Sequence, residues 1–229
     1  MAFNRIADVR HDKLNPRTSN RALARGTLSI RFAIGFTIAM SFLFIFAAWQ
    51  LNTLCFYLSF PTLAILLLYS YTKRFTALSH VVLGFAVGCA PLAAWLAIRG
   101  EFAWSPVLLS GAVMFWVAGF DLIYALQDIE FDRRVKLFSL PSKLGVAQAL
   151  RISTLFHGAT VILLVATAMT ANLGWIAYAG IAIVAGILYW EHRLVTPNDL
   201  SRVDVAFFNL NGYISILLLL TFAGGILIK

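Results

Sequence analysis

Acidic side chains and an asparagine recur at helical spacing in two short segments of the sequence. The first segment carries Asn4, Asp8 and Asp12, and the second carries Asp121, Tyr124, Asp128 and Asp132. Spacings of three, four or seven residues bring side chains onto one face of a helix. Because stacked carboxylates repel one another unless a cation lies between them, the pattern predicts two oxygen-rich faces that bind a divalent cation.

Magnesium is the cation that such faces favour. It takes oxygen ligands and keeps part of its coordination shell for substrate phosphates, so one or two carboxylates from each of two helices suffice when a diphosphate bridges them. The alternative interpretation is that these carboxylates are solvated loop charges matched to neighbouring Arg and Lys. Two motifs among only ten Asp and Glu residues favour the metal site. Asp121 also lies inside an apolar segment, where an ionisable residue is a functional candidate.

The elements that must position these motifs are membrane-spanning helices. Of the 229 residues, 61% are hydrophobic and 12% charged, a composition that excludes a soluble enzyme and a disordered chain. The segments long and apolar enough to cross the bilayer as helices are residues 31–50, 53–72, 79–98, 105–126, 152–170, 173–190 and 205–228. The sequence therefore predicts an all-α fold, a polytopic transmembrane helical bundle of about seven spans that forms one domain over residues 1–229.

Basic residues predict how the bundle is oriented. Sixteen of the eighteen Lys and Arg residues fall in residues 1–31, 71–80, 127–151 and 191–204, which seven spans would leave on one side of the membrane. Since Lys and Arg mark the cytoplasmic side, we expect an integral protein of the bacterial inner membrane with both acidic motifs facing the cytoplasm. The spread of the charge favours the lipid bilayer and anionic substrates over nucleic acid as partners, and no protein partner is indicated.

The same segments resemble the UbiA superfamily of intramembrane aromatic prenyltransferases. NRIADVRHD from Asn4, followed by NPRTSNRAL, is similar to the family's first aspartate motif, and DLIYALQDIEFDRRVKLFSLPSKLG from Asp121 is similar to the second. YSYTK, residues 69–73, resembles the YxxxK between the two motifs. The segment EHRLVTPNDLSRVDVAFFNLNGYIS resembles the C-terminal region of quinone-pathway members, so the resemblance covers nearly the whole chain.

This resemblance implies a magnesium-dependent aromatic polyprenyltransferase with a defined set of site residues. The implied Mg2+ ligands are Asn4, Asp8, Asp12, Asp128 and Asp132. The implied catalytic residues are Asp8, Asp121, Asp128 and Lys73. The implied substrate-binding residues are Arg17, Arg21, Tyr69, Lys73, Arg74 and Tyr124. Of these, Lys73, Arg17 and Arg21 would grip a diphosphate, and Arg74 would bind the carboxylate of the acceptor.

The resemblance also implies the substrates. A polyprenyl diphosphate would bind with its head on magnesium and its tail towards the lipid, and the allylic cation that it forms would alkylate an aromatic acid in a dry cavity. The expected acceptor is 4-hydroxybenzoate of ubiquinone synthesis, and the alternative is a naphthoate of menaquinone synthesis. An ion-coupled transporter and an inactive fragment are the alternatives of another class, since carboxylates at membrane depth also serve ion relays.

The chain departs from the family pattern near its start. Arg5 and Val9 stand where many members have Asp and Arg. The first motif begins at residue 4 with nothing apolar before it, whereas the family bundle has nine helices and carries this motif at the end of the second. The expectation is that Met1 is an internal methionine of a longer natural protein. The chain as it stands is then expected to have an open-sided cavity and weak or absent activity.

Overall fold

The computed structural model describes residues 2–228 and confirms the all-helical bundle. Met1 and Lys229 lie outside the described residues. The expectation on the start of the chain concerns Met1, and the count of basic residues includes Lys229. Between these limits the elements are helical, and the single β-bridge joins Thr196 to Asp199.

The helices follow one another through short connections. Three short helices come first, α1 (Ala2–Ala7), α2 (Val9–Leu14) and α3 (Ala22–Arg25). They are followed by α4 (Ile30–Leu51), α5 (Thr53–Leu68), a 3-10 turn (Tyr69–Arg74), α6 (Ser79–Arg99) and α7 (Trp104–Ala125). Next come a 3-10 turn (Leu126–Asp128), α8 (Ile129–Arg134), α9 (Leu140–Leu144), α10 (Val146–Thr170) and α11 (Trp175–Leu194). The last elements are a π-helix (Val205–Leu210) and α12 (Asn211–Leu227).

Six helices of the described chain are long and apolar enough to cross a membrane, and they correspond to six of the seven predicted segments. They are Ile30–Leu51, Thr53–Arg74, Ser79–Arg99, Trp104–Arg134, Val146–Thr170 and Val205–Leu227. The segment predicted over residues 173–190 forms α11, but its last turn carries Glu191, His192 and Arg193, and these polar side chains reduce its hydropathy. The helix nevertheless packs in the bundle, because its Val184 and Leu188 belong to a core cluster shared with α7, α10 and α12.

Glycines bring α6 and α7 unusually close together. A Cβ atom on Gly84 would lie 2.3 Å from the carbonyl oxygen of Met114, and one on Gly88 would lie 2.8 Å from that of Ser110. Only hydrogen fits at these two positions, as the four-residue spacing of the glycines predicts. The α6 helix also continues through Pro91, and the Leu92 amide donates to the Ser110 hydroxyl at 3.1 Å. The α7 helix is therefore held firmly against α6.

The other side of α7 packs against α10. The Ser153 hydroxyl of α10 donates to the Gly119 carbonyl at 2.8 Å, and the Thr160 hydroxyl donates to the Ala112 carbonyl at 3.3 Å. Small side chains on α7 allow this contact, since Ala112 and Ala118 are each only 1% exposed. The end of α7, which carries Asp121 and Tyr124, is consequently fixed from both sides.

Candidate active site

The first acidic motif lies on α1 and α2, which form an almost continuous helix. The Asp8 amide donates to the Asn4 carbonyl at 2.9 Å, and the Asp12 amide donates to the Asp8 carbonyl at 2.8 Å. The Asn4 side-chain amide donates to the Asp8 carboxylate at 3.1 Å. The three side chains thus follow one another at one-turn intervals, as their spacing predicts.

The second acidic motif runs from the end of α7 into α8. Asp121 and Tyr124 lie on the last turns of α7, Asp128 ends the following 3-10 turn, and Asp132 lies on α8. Asp128 and Asp132 are buried, with 7% and 2% of their surface exposed. Buried carboxylates require partners of opposite charge or a bound cation.

Asn15 and Arg17, which follow α2, join the first motif to the second. The Asn15 amide donates to Asp128 Oδ1 at 2.9 Å, and Arg17 Nε donates to the same oxygen at 3.0 Å. A second Arg17 nitrogen forms an ion pair with Asp128 Oδ2. Arg17 also donates to the Tyr124 hydroxyl at 2.7 Å and lies over the Tyr124 ring. Such a forked, stacked contact is suited to arginine alone.

A second arginine binds the first motif directly. Arg21 NH1 donates to Asp12 Oδ1 at 2.6 Å, and Asp12 is only 6% exposed. Arg5 lies close enough to Arg21, Asp12 and Arg17 to interact electrostatically with each. Its NH1 atom is buried and has no hydrogen-bond partner among the described residues. The guanidinium groups of Arg5, Arg17 and Arg21 thus lie near the carboxylates of the site.

The 3-10 turn after α5 supplies the third side of the site. Lys73 acts electrostatically on carboxylates of both motifs, Asp8 in the first and Asp121, Asp128 and Asp132 in the second. Tyr69 interacts in the same way with Asp8 and Asp121. The Phe138 amide donates to the Lys73 carbonyl at 2.7 Å and so fixes the turn against the segment that follows α8. All three predicted regions of the site are thus brought together.

Arg74 is engaged with the first motif. Its NH2 atom donates to the Ala7 carbonyl at 2.6 Å and lies 3.8 Å from Asp8 Oδ1. The guanidinium also lies over the Tyr71 ring, 4.7 Å from its centroid. Arg74, the expected ligand of the acceptor carboxylate, therefore ties the 3-10 turn to α1.

The surroundings of Asp8 and Arg17 shift their proton affinities. Burial raises the pKa of the Asp8 carboxyl above its ordinary value, and the Asp12 carboxylate raises it further, whereas Lys73 and Arg74 oppose the shift. Burial alone would lower the pKa of Arg17, but its hydrogen bonds to Asp128 outweigh that effect, so the pKa is raised. Asp8 thus lacks full charge compensation from the protein, and Arg17 stays charged.

The oxygen-bearing side chains of the site suit a hard divalent cation when a diphosphate supplies part of its coordination shell. Among residues 2–228 no group of three or more His, Cys, Asp or Glu side chains is arranged to hold a metal by itself. However, Asp132 Oδ2 is buried and accepts no hydrogen bond from the described residues. Asn4 and Asp8 offer further oxygen atoms, and Mg2+ needs only one or two carboxylates when substrate phosphates complete its shell.

The sequence interpretation missed His80 and Asn15, which bind carboxylates of the second motif directly. His80 on α6 is completely buried, and its Nδ1 lies 2.6 Å from Asp121 Oδ2. One signal was available, because His80 shares the four-residue spacing of Gly84 and Gly88 and hence the helix face that packs against α7. Asn15 offered no such signal, since its contact with Asp128 joins positions 113 residues apart.

Aromatic rings from the π-helix also reach the site. The Phe207 ring stacks on Tyr124, with centroids 4.1 Å apart, and Phe208 makes T-shaped contacts with both rings. The side-chain amide of Asn211 donates to the Ala206 and Phe207 carbonyls at 3.1 and 3.0 Å, which satisfies backbone groups in this wider helical turn. Such π-turns are frequent at functional sites.

An apolar cavity of about 290 Å³ adjoins the first motif. Phe3 and Ile6, which lie near Asn4 on α1, are among its lining residues. The rest of the lining comes from α4 and α5 and includes Ile34, Ser41, Phe42 and Leu67. A polar, charged site therefore borders an apolar space of the kind that could accept a hydrocarbon chain.

Comparison with known proteins identifies relatives over most of the chain. A model described as the UbiA prenyltransferase family matches residues 1–213. A 4-hydroxybenzoate octaprenyltransferase of Nitrosospira multiformis is 32% identical over 208 residues, which cover 91% of this chain and 71% of the relative. One of Pseudomonas aeruginosa is 35% identical over 192 residues, which cover 82% of this chain and 64% of the relative. The chain thus spans less than two thirds of the Pseudomonas relative.

Solved structures of the same fold are also similar. The apo structure of a UbiA homologue from Aeropyrum pernix K1 is 36% identical, with a TM-score of 0.88 over 96% of this chain and 82% of that one. A UbiA homologue from Archaeoglobus fulgidus, bound to DMAPP and Mg2+, is 22% identical, with a TM-score of 0.68 over 95% of this chain and 81% of that one. The second likeness concerns the fold alone.

Proposed function

Because the chain belongs to the UbiA prenyltransferase family, we propose that it transfers a polyprenyl group from an allylic polyprenyl diphosphate to 4-hydroxybenzoate. The observation that carries the proposal is the meeting of the two acidic motifs through Asn15 and Arg17, with Lys73 acting on carboxylates of both. A diphosphate with its metal suits this mixture of charges, because carboxylates bind the metal while cations bind phosphate oxygens.

Three cationic side chains of the chain itself bind and orient the diphosphate. Arg17 and Arg21 are held in position by Asp128 and Asp12, respectively, so little conformational freedom is lost when a phosphate arrives. Lys73 approaches from the 3-10 turn. Fixed cations aimed at the leaving group stabilise the negative charge that develops on it as the allylic bond breaks.

Asn4, Asp8, Asp128 and Asp132 are the residues that would hold Mg2+. The buried, unpaired Oδ2 of Asp132 and the poorly compensated charge of Asp8 support this assignment. When bound, the metal supplies Lewis-acid stabilisation of the diphosphate. The Archaeoglobus fulgidus structure of the same fold is bound to both DMAPP and Mg2+.

The reaction replaces a carbon–oxygen bond by a carbon–carbon bond. The bond between the allylic carbon and the diphosphate oxygen breaks, and the diphosphate leaves with the electron pair. An aromatic ring carbon of the acceptor then bonds to the allylic carbon and loses its proton, which restores aromaticity.

The apolar cavity is the proposed binding space of the prenyl chain. Its lining includes Phe3 and Ile6, which lie near Asn4 on α1, so a diphosphate head bound at the first motif has an apolar space nearby for its tail. The names of the two curated relatives support 4-hydroxybenzoate as the acceptor, within ubiquinone synthesis. Arg74 remains the proposed ligand of the acceptor carboxylate.

The protein is an integral membrane protein, and we assign it to the bacterial inner membrane with the active-site loops in the cytoplasm. The basis is the concentration of Lys and Arg in the segments that flank the acidic motifs. This orientation gives a cytoplasmic aromatic acid access to the site from the aqueous side and gives a lipid-soluble prenyl donor access from the bilayer.

A product assay on membranes that carry the protein tests the proposal. Octaprenyl diphosphate is supplied with 4-hydroxybenzoate or with a dihydroxynaphthoate, in Mg2+ or in EDTA, and products are identified by mass spectrometry. We expect octaprenylated 4-hydroxybenzoate in Mg2+ and none in EDTA. Membranes without the protein are the control.

Each other outcome contradicts a defined part of the proposal. A prenylated naphthoate without prenylated 4-hydroxybenzoate would refute the acceptor but keep the reaction class. Product formation that EDTA leaves unchanged would refute the metal assignment. The absence of any product would refute the enzyme assignment and favour transport or an inactive chain.

A further inference from the structure

His80 is a buried histidine outside both acidic motifs, and the proposed reaction assigns it no role. We propose that His80 is a positioning residue, which orients the Asp121 carboxylate and, through it, the Lys73 ammonium that binds the prenyl diphosphate. The inference rests on the proposed function, because it names a further residue required for diphosphate binding at the same site.

The first observation is the contact itself. His80 Nδ1 lies 2.6 Å from Asp121 Oδ2. An ionised carboxylate can only accept hydrogen bonds, so the imidazole carries its proton on Nδ1 and donates it to Asp121. A histidine that donates from Nδ1 holds the carboxylate in one orientation, and the carboxylate in turn fixes the ring.

The second observation is that the two helices cannot shift relative to each other at this level. His80, Gly84 and Gly88 follow at four-residue intervals on the face of α6 that meets α7. Because Gly84 touches the backbone of α7 at Met114 and Gly88 touches it at Ser110, the distance between the helices is set by backbone contact. The position of His80 relative to Asp121 is therefore defined by the fold.

The third observation is the difference in exposure. The His80 side chain is 0% exposed, whereas the Asp121 side chain is 19% exposed. His80 therefore cannot contact a substrate, and its effect must pass through Asp121. Asp121 interacts electrostatically with Lys73 and with Tyr69, so its carboxylate links His80 to these two groups.

The fourth observation is that packing alone does not explain the histidine. Its second ring nitrogen, Nε2, is buried and has no hydrogen-bond partner within residues 2–228. A buried polar atom without a partner costs stability, and an apolar side chain would avoid that cost. The bond to Asp121 supplies a functional reason for a histidine at this position.

These observations define what the loss of His80 does. Without its donor, the Asp121 carboxylate is free to rotate, and the opposite charge of Lys73 attracts it. An ion pair between the two withdraws the ammonium from the diphosphate. We therefore expect weaker binding of the prenyl diphosphate, while the affinity for the aromatic acceptor stays the same.

Calorimetric titration of the detergent-purified full chain with geranyl diphosphate and Mg2+ tests the proposal. The His80→Leu variant should raise the Kd about tenfold, within the range found when a partner that orients a ligand-binding side chain is removed. His80→Asn should recover most of the loss, because its amide N–H lies near the position of Nδ1. His80→Gln, whose amide extends towards the position of Nε2, should not. Ser79→Ala, at a neighbouring buried position, is the matched control and should bind as the wild type does.

Steady-state kinetics separate positioning from a structural role. His80→Leu should raise the KM for geranyl diphosphate and leave the KM for the acceptor unchanged, whereas a merely destabilised protein would lower the amount of active enzyme and change neither KM. Equal Kd values for wild type and His80→Leu would overturn the proposal, as would equal losses for the Asn and Gln variants. The Asn–Gln comparison remains available should the Leu variant fold poorly.

Failure of the proposed function gives a different result. A wild-type protein that binds geranyl diphosphate but prenylates no acceptor would refute the proposed reaction, and the Kd comparison would still decide the role of His80. A wild-type protein that binds no geranyl diphosphate in Mg2+ would overturn both proposals.

Discussion

At the scale of single residues, the carboxylates of the acidic motifs serve both as partners of arginines and as candidate metal ligands, the two roles that the sequence left open. Asp12 and Asp128 are paired with Arg21 and Arg17, as the interpretation of matched charges predicts. Asp132, in contrast, has a buried oxygen without a partner among the described residues, which fits the metal interpretation. Both interpretations therefore apply within the same site, and Asp128, which pairs with Arg17, is also one of the proposed Mg2+ ligands.

Asp128 offers a direct test at this scale, because it is the carboxylate that binds both Asn15 and Arg17. Asp128→Asn keeps the shape of the side chain but removes its charge, so Arg17 loses its counter-ion and Mg2+ a proposed ligand. We expect kcat/KM for prenyl transfer to fall at least about 100-fold, equivalent to about 2.7 kcal/mol of transition-state stabilisation. The measurement is the product assay with purified protein.

Glu130 provides the matched control, since it lies on the same short helix, α8, but is exposed. Glu130→Gln removes the same charge and should retain activity within a factor of about two. Equal activities of the two variants would contradict the role of Asp128. Circular dichroism and gel filtration in detergent check that both variants remain folded, because removing one partner of a buried ion pair also destabilises the fold.

At the scale of elements, the sequence predicts the long helices well because the hydrocarbon core demands long apolar segments. The segment predicted over residues 31–50 is α4 (Ile30–Leu51), and the one over residues 105–126 is α7 (Trp104–Ala125). The exception is α11, which extends to Leu194 through a polar last turn. Apolar length identifies a helix, but it does not show whether polar residues at its end are buried against neighbouring helices.

Most residues of the site lie in the connections between the long helices, and the contacts of these residues could be predicted only in part. The family motifs indicate Arg17, Lys73 and Asp132 as site residues, but not their partners. The contact of Asn15 with Asp128 and that of His80 with Asp121 depend on how separate elements pack. Helical spacing contains information about one helix at a time, so contacts between elements stay hidden until the fold is known.

The close contact between α6 and α7 leads to a prediction at this scale. In Gly84→Ala, the new Cβ would lie 2.3 Å from the Met114 carbonyl oxygen, so the helices must separate and His80 must move away from Asp121. We expect a loss of about 1–3 kcal/mol in the free energy of unfolding, as for other overpacked interiors, together with reduced prenyl transfer. Thermal unfolding in detergent and the product assay measure the two effects.

Gly186 on α11 is the control for that substitution, because a Cβ at this position meets nothing within 4 Å. Gly186→Ala should leave activity unchanged and keep or slightly raise stability, since alanine favours a helix more than glycine does. A Gly84→Ala variant as stable and as active as Gly186→Ala would show that the contact between α6 and α7 is looser than the structure indicates.

At the scale of the whole molecule, charge and apolar surface are divided between the site and the bundle. The carboxylates and guanidinium groups gather around the start of the chain, the 3-10 turn after α5 and the end of α7, whereas the cavity lined by α1, α4 and α5 is apolar. This division matches a substrate with a charged head and a hydrocarbon tail. It also implies that the length of the donor is sensed far from the reacting atoms.

That implication gives a prediction for Ser41, which lines the cavity on α4. Ser41 lies about 16 Å along the helix axis from the beginning of α4, given a rise of about 1.5 Å per residue, so only the distal part of a long prenyl chain should reach it. Ser41→Phe should raise the KM for octaprenyl diphosphate about tenfold and leave that for geranyl diphosphate unchanged, because the added ring occupies the space of the distal tail. Leu43→Phe, at an exposed position of the same helix outside the cavity lining, should alter neither value. If Ser41→Phe affected both donors equally, the tail would have to follow another route through the bundle.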